Sequence, residues 1–298
     1  MEKGPYQTRY PSVPRRMSRH TLLFVALLGL TDIRAQVSEL GITGGVTYYI
    51  GDLNPTRHYP KDTKLAYGVV YRYNFSDRYA IRLQALNGTL QAYDNRSSDS
   101  LQLLRDLHFR ARLLEFSGLL EVNFRKYRSK DKDSKKWTPF VFAGLAYFRA
   151  APQAELNGEW YDLQPLGTEG QGTTARPGSD VYTVDNICIP FGAGFKWNVG
   201  RLDFQVEWGL RRTYTDYLDD VSGTYVDRDQ LAFENGPLAA TFADPSVLGQ
   251  LPEYTNEGRA RGDADTRDWY QYTGLSVTYI ISRFSDCDEQ YNWMRKRR

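Results

Sequence analysis

Chemically versatile side chains are scarce in this chain: 298 residues hold two cysteines, three histidines and three methionines. So small a stock leaves little for metal or nucleophile chemistry, and there is no phosphate-binding loop, histidine-paired helix motif or cysteine cluster. No apolar run is long enough to cross a bilayer as a helix, and the mean hydropathy is negative. A charge excess is also missing, with 38 basic against 36 acidic residues. Six of the basic and two of the acidic residues fall within 1–35, so the rest holds 32 against 34, a net of −2. That balance gives no whole-protein attraction for nucleic acid, and no such partner is expected.

What the chain has in quantity is aromatic side chains, 14% of all residues, with tyrosine alone occurring 22 times. A polar average combined with many aromatics suits a transmembrane β-barrel. Its strands need only every second residue apolar, and tyrosine and tryptophan collect at the membrane interfaces.

The start of the chain reads as an export signal. After Met17 come Ser18, Arg19 and His20, then an apolar stretch from Leu22 to Leu30, and Ala35 offers a small residue for cleavage. Three segments are therefore expected: a removed leader over 1–35, a barrel over 36–284, and a basic tail over 285–298.

Strict alternation marks the strands. From Lys64 to Phe75, Leu65, Tyr67, Val69, Tyr71, Tyr73 and Phe75 share one face. Leu202, Phe204, Val206, Trp208 and Leu210 alternate in the same way with Asp203, Gln205, Glu207, Gly209 and Arg211. Six further segments, Leu40–Ile50, Tyr79–Gln91, Phe109–Arg125, Thr138–Ala150, Ile187–Val199 and Trp269–Phe284, bring the count to eight, with a bulge expected near Leu113 and Leu114. The links alternate between short (76–78, 126–137, 200–201) and long (51–63, 92–108, 151–186, 214–268). The fold class is thus all-β: an eight-stranded antiparallel transmembrane barrel with short periplasmic turns and long extracellular loops, in the outer membrane, with both termini periplasmic. Outer-membrane lipid is the partner this implies.

Eight strands enclose a space that side chains just fill. Arg72, Arg82, Gln84, Arg112, Glu115, Glu121, Gln205, Glu207 and Arg211 are expected to point inward and pair. No enzyme, cofactor or metal site is expected. His58 with Asp99 and Ser100 imitates an outer-membrane acyltransferase and is the remote alternative. Asp216, Asp219, Asp220, Asp227 and Asp229 lack the spacing of a calcium loop and read as solvated acids. The glycine-rich run 158–178 reads as a mobile loop.

Candidate partner-binding residues lie at the periplasmic side. The turn Arg125–Lys136 carries Arg125, Lys126, Arg128, Lys130, Lys132, Lys135 and Lys136 against Asp131 and Asp133. It suits either anionic headgroups or an acidic protein. The tail ends in Arg295, Lys296, Arg297 and Arg298. Cys188 and Cys287 fall at opposite rims and cannot pair with each other, so Cys287 is either a protected thiol or the site of an intermolecular disulfide.

Two stretches carry a family resemblance: Glu39-Leu40-Gly41 with Gly44-Gly45 and Tyr48-Tyr49-Ile50-Gly51-Asp52-Leu53-Asn54-Pro55, and Glu207-Trp208-Gly209-Leu210-Arg211-Arg212 leading into the run from Asp216 to Tyr225. The chain resembles the PorG outer-membrane barrels associated with the type IX secretion machinery. That resemblance implies a non-enzymatic accessory or anchoring part, contacting a periplasmic ring of a PorK-like lipoprotein and a PorN-like protein, with such a lipoprotein as partner for Cys287. The alternative from another class is a stand-alone surface barrel whose outer loops bind a ligand or host factor.

Overall fold

The computed structural model describes residues 37–55, 62–127, 135–246, 249, 251 and 254–283. The expected leader and tail lie outside the described residues. Eight long strands form the body: β1 (Val37–Ile50), β2 (Lys64–Asn74), β3 (Tyr79–Tyr93), β4 (His108–Asn123), β5 (Trp137–Leu156), β7 (Asp185–Val199), β8 (Leu202–Thr213) and β9 (Trp269–Arg283). A short β6 (Glu159–Asp162) extends β5 as a hairpin, turned by Asn157 and Gly158, both at positive φ.

Each long strand pairs antiparallel with its neighbour in the order β4-β3-β2-β1-β9-β8-β7-β5, and β5 returns to β4, so the barrel is closed. The seam runs from Val37 opposite Arg283 to Ile50 opposite Trp269, which puts the start of β1 and the end of β9 at one rim. Gly41 and Gly45 sit where β1 coils onto β9. A Cβ at either would fall within 2.0 or 2.2 Å of a β9 carbonyl oxygen, so only glycine fits there.

Alternation sorts the two surfaces. Leu65, Leu145, Ile42 and Tyr67 are at least 66% exposed on the outside, and the exterior of β4 stays apolar from Leu114 to Val122 except at Gly118. At ~3.3 Å per residue and a tilt of ~40°, that stretch alone spans about 20 Å along the barrel axis. Open lattices of backbone groups cannot sit in hydrocarbon, whereas a closed ladder can. This is the exterior of a transmembrane barrel.

Two expectations fail on β4. There is no bulge at Leu113 and Leu114, since β4 keeps an unbroken register with both β3 and β5; the bulge-like shift lies between Ser38 and Glu39 on β1. Arg112 faces outward, not inward. The reason is an apolar layer inside the long-loop rim, where Phe109, Ala111 and Leu113 pack with Tyr49, Leu90, Phe148 and Tyr270. An interior that is oily at that level takes Leu113 and turns Arg112 out.

The long loops are folded too. The loop after β3 carries α1 (Ser100–Arg105), and the loop after β8 carries α2 (Arg228–Glu234) and α3 (Pro237–Ala243). Leu231, Ala239 and Ala243 from these last two pack with Leu166 and Val226, so two long loops share a small core above the barrel.

Candidate functional site

The lumen is occupied by a charge network. Arg72 reaches Glu39 at 2.8 Å, Glu121 at 2.9 Å and Asp203 at 3.6 Å. Arg82 lies 2.9 Å from Glu121 and also pairs with Glu207. Lys196 completes the ring around Glu121 at 2.5 Å and donates to Asn123 at 3.2 Å. Nearer the long-loop rim, Glu115 takes Arg211 at 3.3 Å and the Tyr270 hydroxyl at 2.8 Å. All these groups are almost completely buried. A buried charge without a partner costs several kcal/mol, so four cations among five carboxylates form a mutually dependent plug. Of the nine residues expected inward, eight are there, and Arg112 alone is not. Lys196 and Asp203 join them. Lys196 was missed because β7 mixes glycine, proline and aromatics and shows weak alternation.

Above the apolar layer the loops close into a cap. Glu169 is its hub: it accepts the amides of Ser222 at 2.9 Å and Gly223 at 3.0 Å, and pairs with Arg176 at 3.2 Å and Arg261 at 3.3 Å. Asp220 accepts hydroxyls from Thr168 at 2.5 Å and Tyr182 at 2.6 Å. Tyr182 and Tyr217 stack with ring centroids 4.5 Å apart. The expectation of solvated acids is thereby overturned for Asp216, Asp219 and Asp220, which are buried, whereas Asp229 is exposed as expected. That of a mobile glycine-rich loop is overturned too, because Thr168, Glu169, Gln171 and Thr173 are buried in the cap. Asp227 caps α2 by accepting the Gln230 amide at 2.7 Å.

Burial raises the carboxyl groups of this cap. Asp220 is pushed up to about 6, although Arg261 and the two hydroxyls pull the other way. Asp216 is pushed up to about 7 by burial, with Asp52 adding to it. Asp219 and Asp268 are held well above the usual carboxylate range, first by burial and then by acidic neighbours. Among the described residues no three His, Cys, Asp or Glu are placed to hold a metal. A cavity of about 50 Å³ between Leu107, Ala154, Leu163 and Phe242 is large enough for a water or two, not for a substrate. Asp99 caps α1, accepting the Leu101 amide at 2.8 Å, and His58 lies outside the described residues.

At the short-turn rim, Arg125, Lys126, Lys135 and Lys136 sit together on the link between β4 and β5. The Arg125 guanidinium lies 3.6 Å over the Trp137 ring, and the Lys135 amide donates to the Lys126 carbonyl at 3.1 Å. Tyr127, in the same turn, is buried and donates its hydroxyl to Asp203, which ties the turn to the lumen network. Two arginines that the sequence gave no reason to group, Arg78 and Arg201, stand on the other short links at the same rim. Arg78 donates to the Phe124 carbonyl at 2.9 Å and Arg201 to the Tyr279 hydroxyl at 2.9 Å. Arg128, Lys130, Lys132, Cys287, Arg295, Lys296, Arg297 and Arg298 lie outside the described residues. Cys188 is a buried free thiol facing the Tyr270 hydroxyl at 3.4 Å.

Residues 18–165 match a family described as a domain of unknown function, DUF6089. No curated protein matches the chain. Among solved structures, it is similar to Ail, the attachment invasion locus protein of Yersinia pestis, at 8% identity and TM-score 0.36, over 83% of this chain and 98% of that one. OprG of Pseudomonas aeruginosa is similar at 13% identity and TM-score 0.38, over 83% and 99%. Neisserial surface protein A is similar at 8% and 0.38, over 82% and 97%.

Proposed function

We propose that this chain is an outer-membrane barrel that catalyses no reaction and acts as an anchoring or accessory part of the type IX secretion machinery. The observation that carries the reading is the combination of an apolar exterior with a lumen filled by paired charges. Such a body holds a place in a membrane and offers no wide path through it. The secretion assignment rests on the resemblance to PorG barrels, and it puts the short-turn rim in the periplasm. There Arg125, Lys126, Lys135 and Lys136, joined by Arg78 and Arg201, make a basic collar suited to an acidic partner such as a ring of PorK-like and PorN-like proteins.

The experiment is co-purification from native membranes in mild detergent. Ring components should accompany the protein, and reversing Lys126, Lys135 and Lys136 to glutamate should weaken that association and its salt dependence. Isolation of the barrel alone would reject the secretion role. The second reading, a stand-alone surface barrel, is favoured by the cap: loops fixed by a buried hub such as Glu169 present a preformed surface. Loss of ligand or host-factor binding on deleting the cap, with no ring protein present, would support it instead.

A further inference from the structure

The apolar band on the outside ends at the long-loop rim along a line of arginines. Cross-strand pairing places Ala85, Phe116, Tyr147 and Ile187 side by side as an apolar exterior row. One exterior step towards the loops, Arg149 stands beside Leu114; one further step brings Arg112 beside Ala151, and the next Arg110 beside Gln153. Three guanidinium groups thus rise from two adjacent strands directly above side chains that face hydrocarbon. Arg112 and Arg149 are diagonal neighbours, with Cα atoms roughly 7–8 Å apart and within joint reach of one headgroup, and Arg110 follows Arg112 two residues along the same face of β4.

Their partners differ from those in the lumen. Arg112 is exposed and makes no hydrogen bond or ion pair among the described residues. Arg149 is 61% exposed, and its ion pair with Asp185 is a long one, at 3.5 Å. Arg110 lies 3.7 Å over the Trp160 ring and donates to Gln153 at 3.1 Å. A guanidinium stacked on an aromatic face keeps N–H groups on its edge, and that edge matches two oxygens of a phosphate. Long arginine stems lying along the apolar surface would carry the charge to the headgroup level.

We propose that Arg110, Arg112 and Arg149 form a recognition strip for the phosphate of a membrane lipid headgroup in the leaflet around the long-loop rim. The strip follows the border of the apolar band, which is where lipid phosphates lie, so a lipid and not a soluble anion is its occupant. This rests on the membrane reading above. The strip makes the barrel a selector of anionic lipid on the β4–β5 side, independent of any partner at the opposite rim.

The test uses the full protein in phosphatidylcholine vesicles with spin-labelled phosphatidic acid or spin-labelled phosphatidylcholine, reading the motionally restricted fraction of each. The unmutated protein should prefer phosphatidic acid. Arg110→Gln with Arg112→Gln and Arg149→Gln should reduce that preference by about fivefold per arginine removed, the equivalent of ~1 kcal/mol each. Heat-modifiable migration checks that the triple variant folds; should it not, Arg112→Gln alone, whose side chain supports nothing else, should still give the single fivefold loss. No preference in the unmutated protein, or an unchanged preference in the folded variants, would overturn the strip while leaving the barrel in its membrane. Absence of any restricted lipid would overturn both.

Discussion

Asp219 and Asp268 meet across a single hydroxyl: the Tyr49 oxygen lies 2.6 Å from Asp219 Oδ2 and 2.6 Å from Asp268 Oδ1. A phenol has one proton to give, so it can satisfy one ionised carboxylate, and the other acid must supply a proton of its own. Each acid also accepts a loop amide, Asp268 from Leu218 at 2.8 Å and Asp219 from Val221 at 3.0 Å. The cap is therefore latched to β1 through a shared proton. Asp52 and Asp216, the other acids acting on the pair, favour keeping it.

That latch sets a pH dependence. These acids have folded-state values raised above their ordinary one, so their stabilising protonated form is complete below about 3.8 and is lost as pH rises through the folded value. For Asp220 and Asp216 the loss runs up to about 6 and about 7, and for Asp219 and Asp268 it likewise falls well above the usual carboxylate range. Hydrogen exchange at the Leu218 and Val221 amides, corrected for intrinsic rates, should show more protection at pH 5 than at pH 8. Asp268→Asn supplies a permanent donor to Tyr49 while its carbonyl still accepts Leu218, so it should keep protection at pH 8. Equal protection of the unmutated protein at both pH values would count against the shared proton.

Glu121 is the centre of the lumen network, touching Arg72, Arg82 and Lys196. Glu121→Gln takes the ion-pair carboxylate from buried Lys196 and one of the partners from Arg72 and Arg82, and should cost about 3–5 kcal/mol, seen as a lower urea midpoint of the heat-modifiable band. Gln84 is the contrast. It is buried with neither amide atom hydrogen-bonded among the described residues, so Gln84→Leu should be neutral or stabilising. A large loss from Gln84→Leu would show that the lumen depends on it in another way.

The exterior can be probed one position at a time. Phe116→Arg, in the apolar band, should cost roughly 2–4 kcal/mol in lipid. Phe233→Arg, on α2 of the cap and 90% exposed, should stay within about 0.5 kcal/mol. Matching penalties would mean that the band does not face hydrocarbon.

The two cysteines separate by chemistry. Cys188 is buried against Tyr270 and should react with thiol reagents only after unfolding. Non-reducing gels of native membranes should show a larger species that disappears in Cys287→Ser and survives in Cys188→Ser. A ladder unchanged by Cys287→Ser would exclude the disulfide.

The strands were legible in the sequence because alternation is local. Leu65 to Phe75 announces its faces without help from any neighbour, and the charges at Glu207 and Arg211 could only point in. Arg112 shows the limit of that logic. A charge on a spanning strand is read inward by default, and only the apolar layer contributed by four other strands reverses it. The cap was hidden for a related reason. Asp216, Asp219 and Asp220 resemble any exposed acidic loop until Tyr49, Tyr182 and Arg261, distant in sequence, are brought against them. Asn157-Gly158 was a readable hairpin signal that a long loop obscured.

The seam between Val37 and Arg283 has a consequence for how the molecule comes into being. Neighbouring strands elsewhere can zip as soon as their connecting link exists, but this last ladder joins opposite ends of the barrel, and such distant contacts form slowly. Until β9 arrives, β1 and the latest strand present two bare edges able to pair with other chains. Closure is therefore the step at which an aggregation-prone sheet becomes a self-contained one, and during transit the unclosed chain needs escort more than the finished barrel ever does.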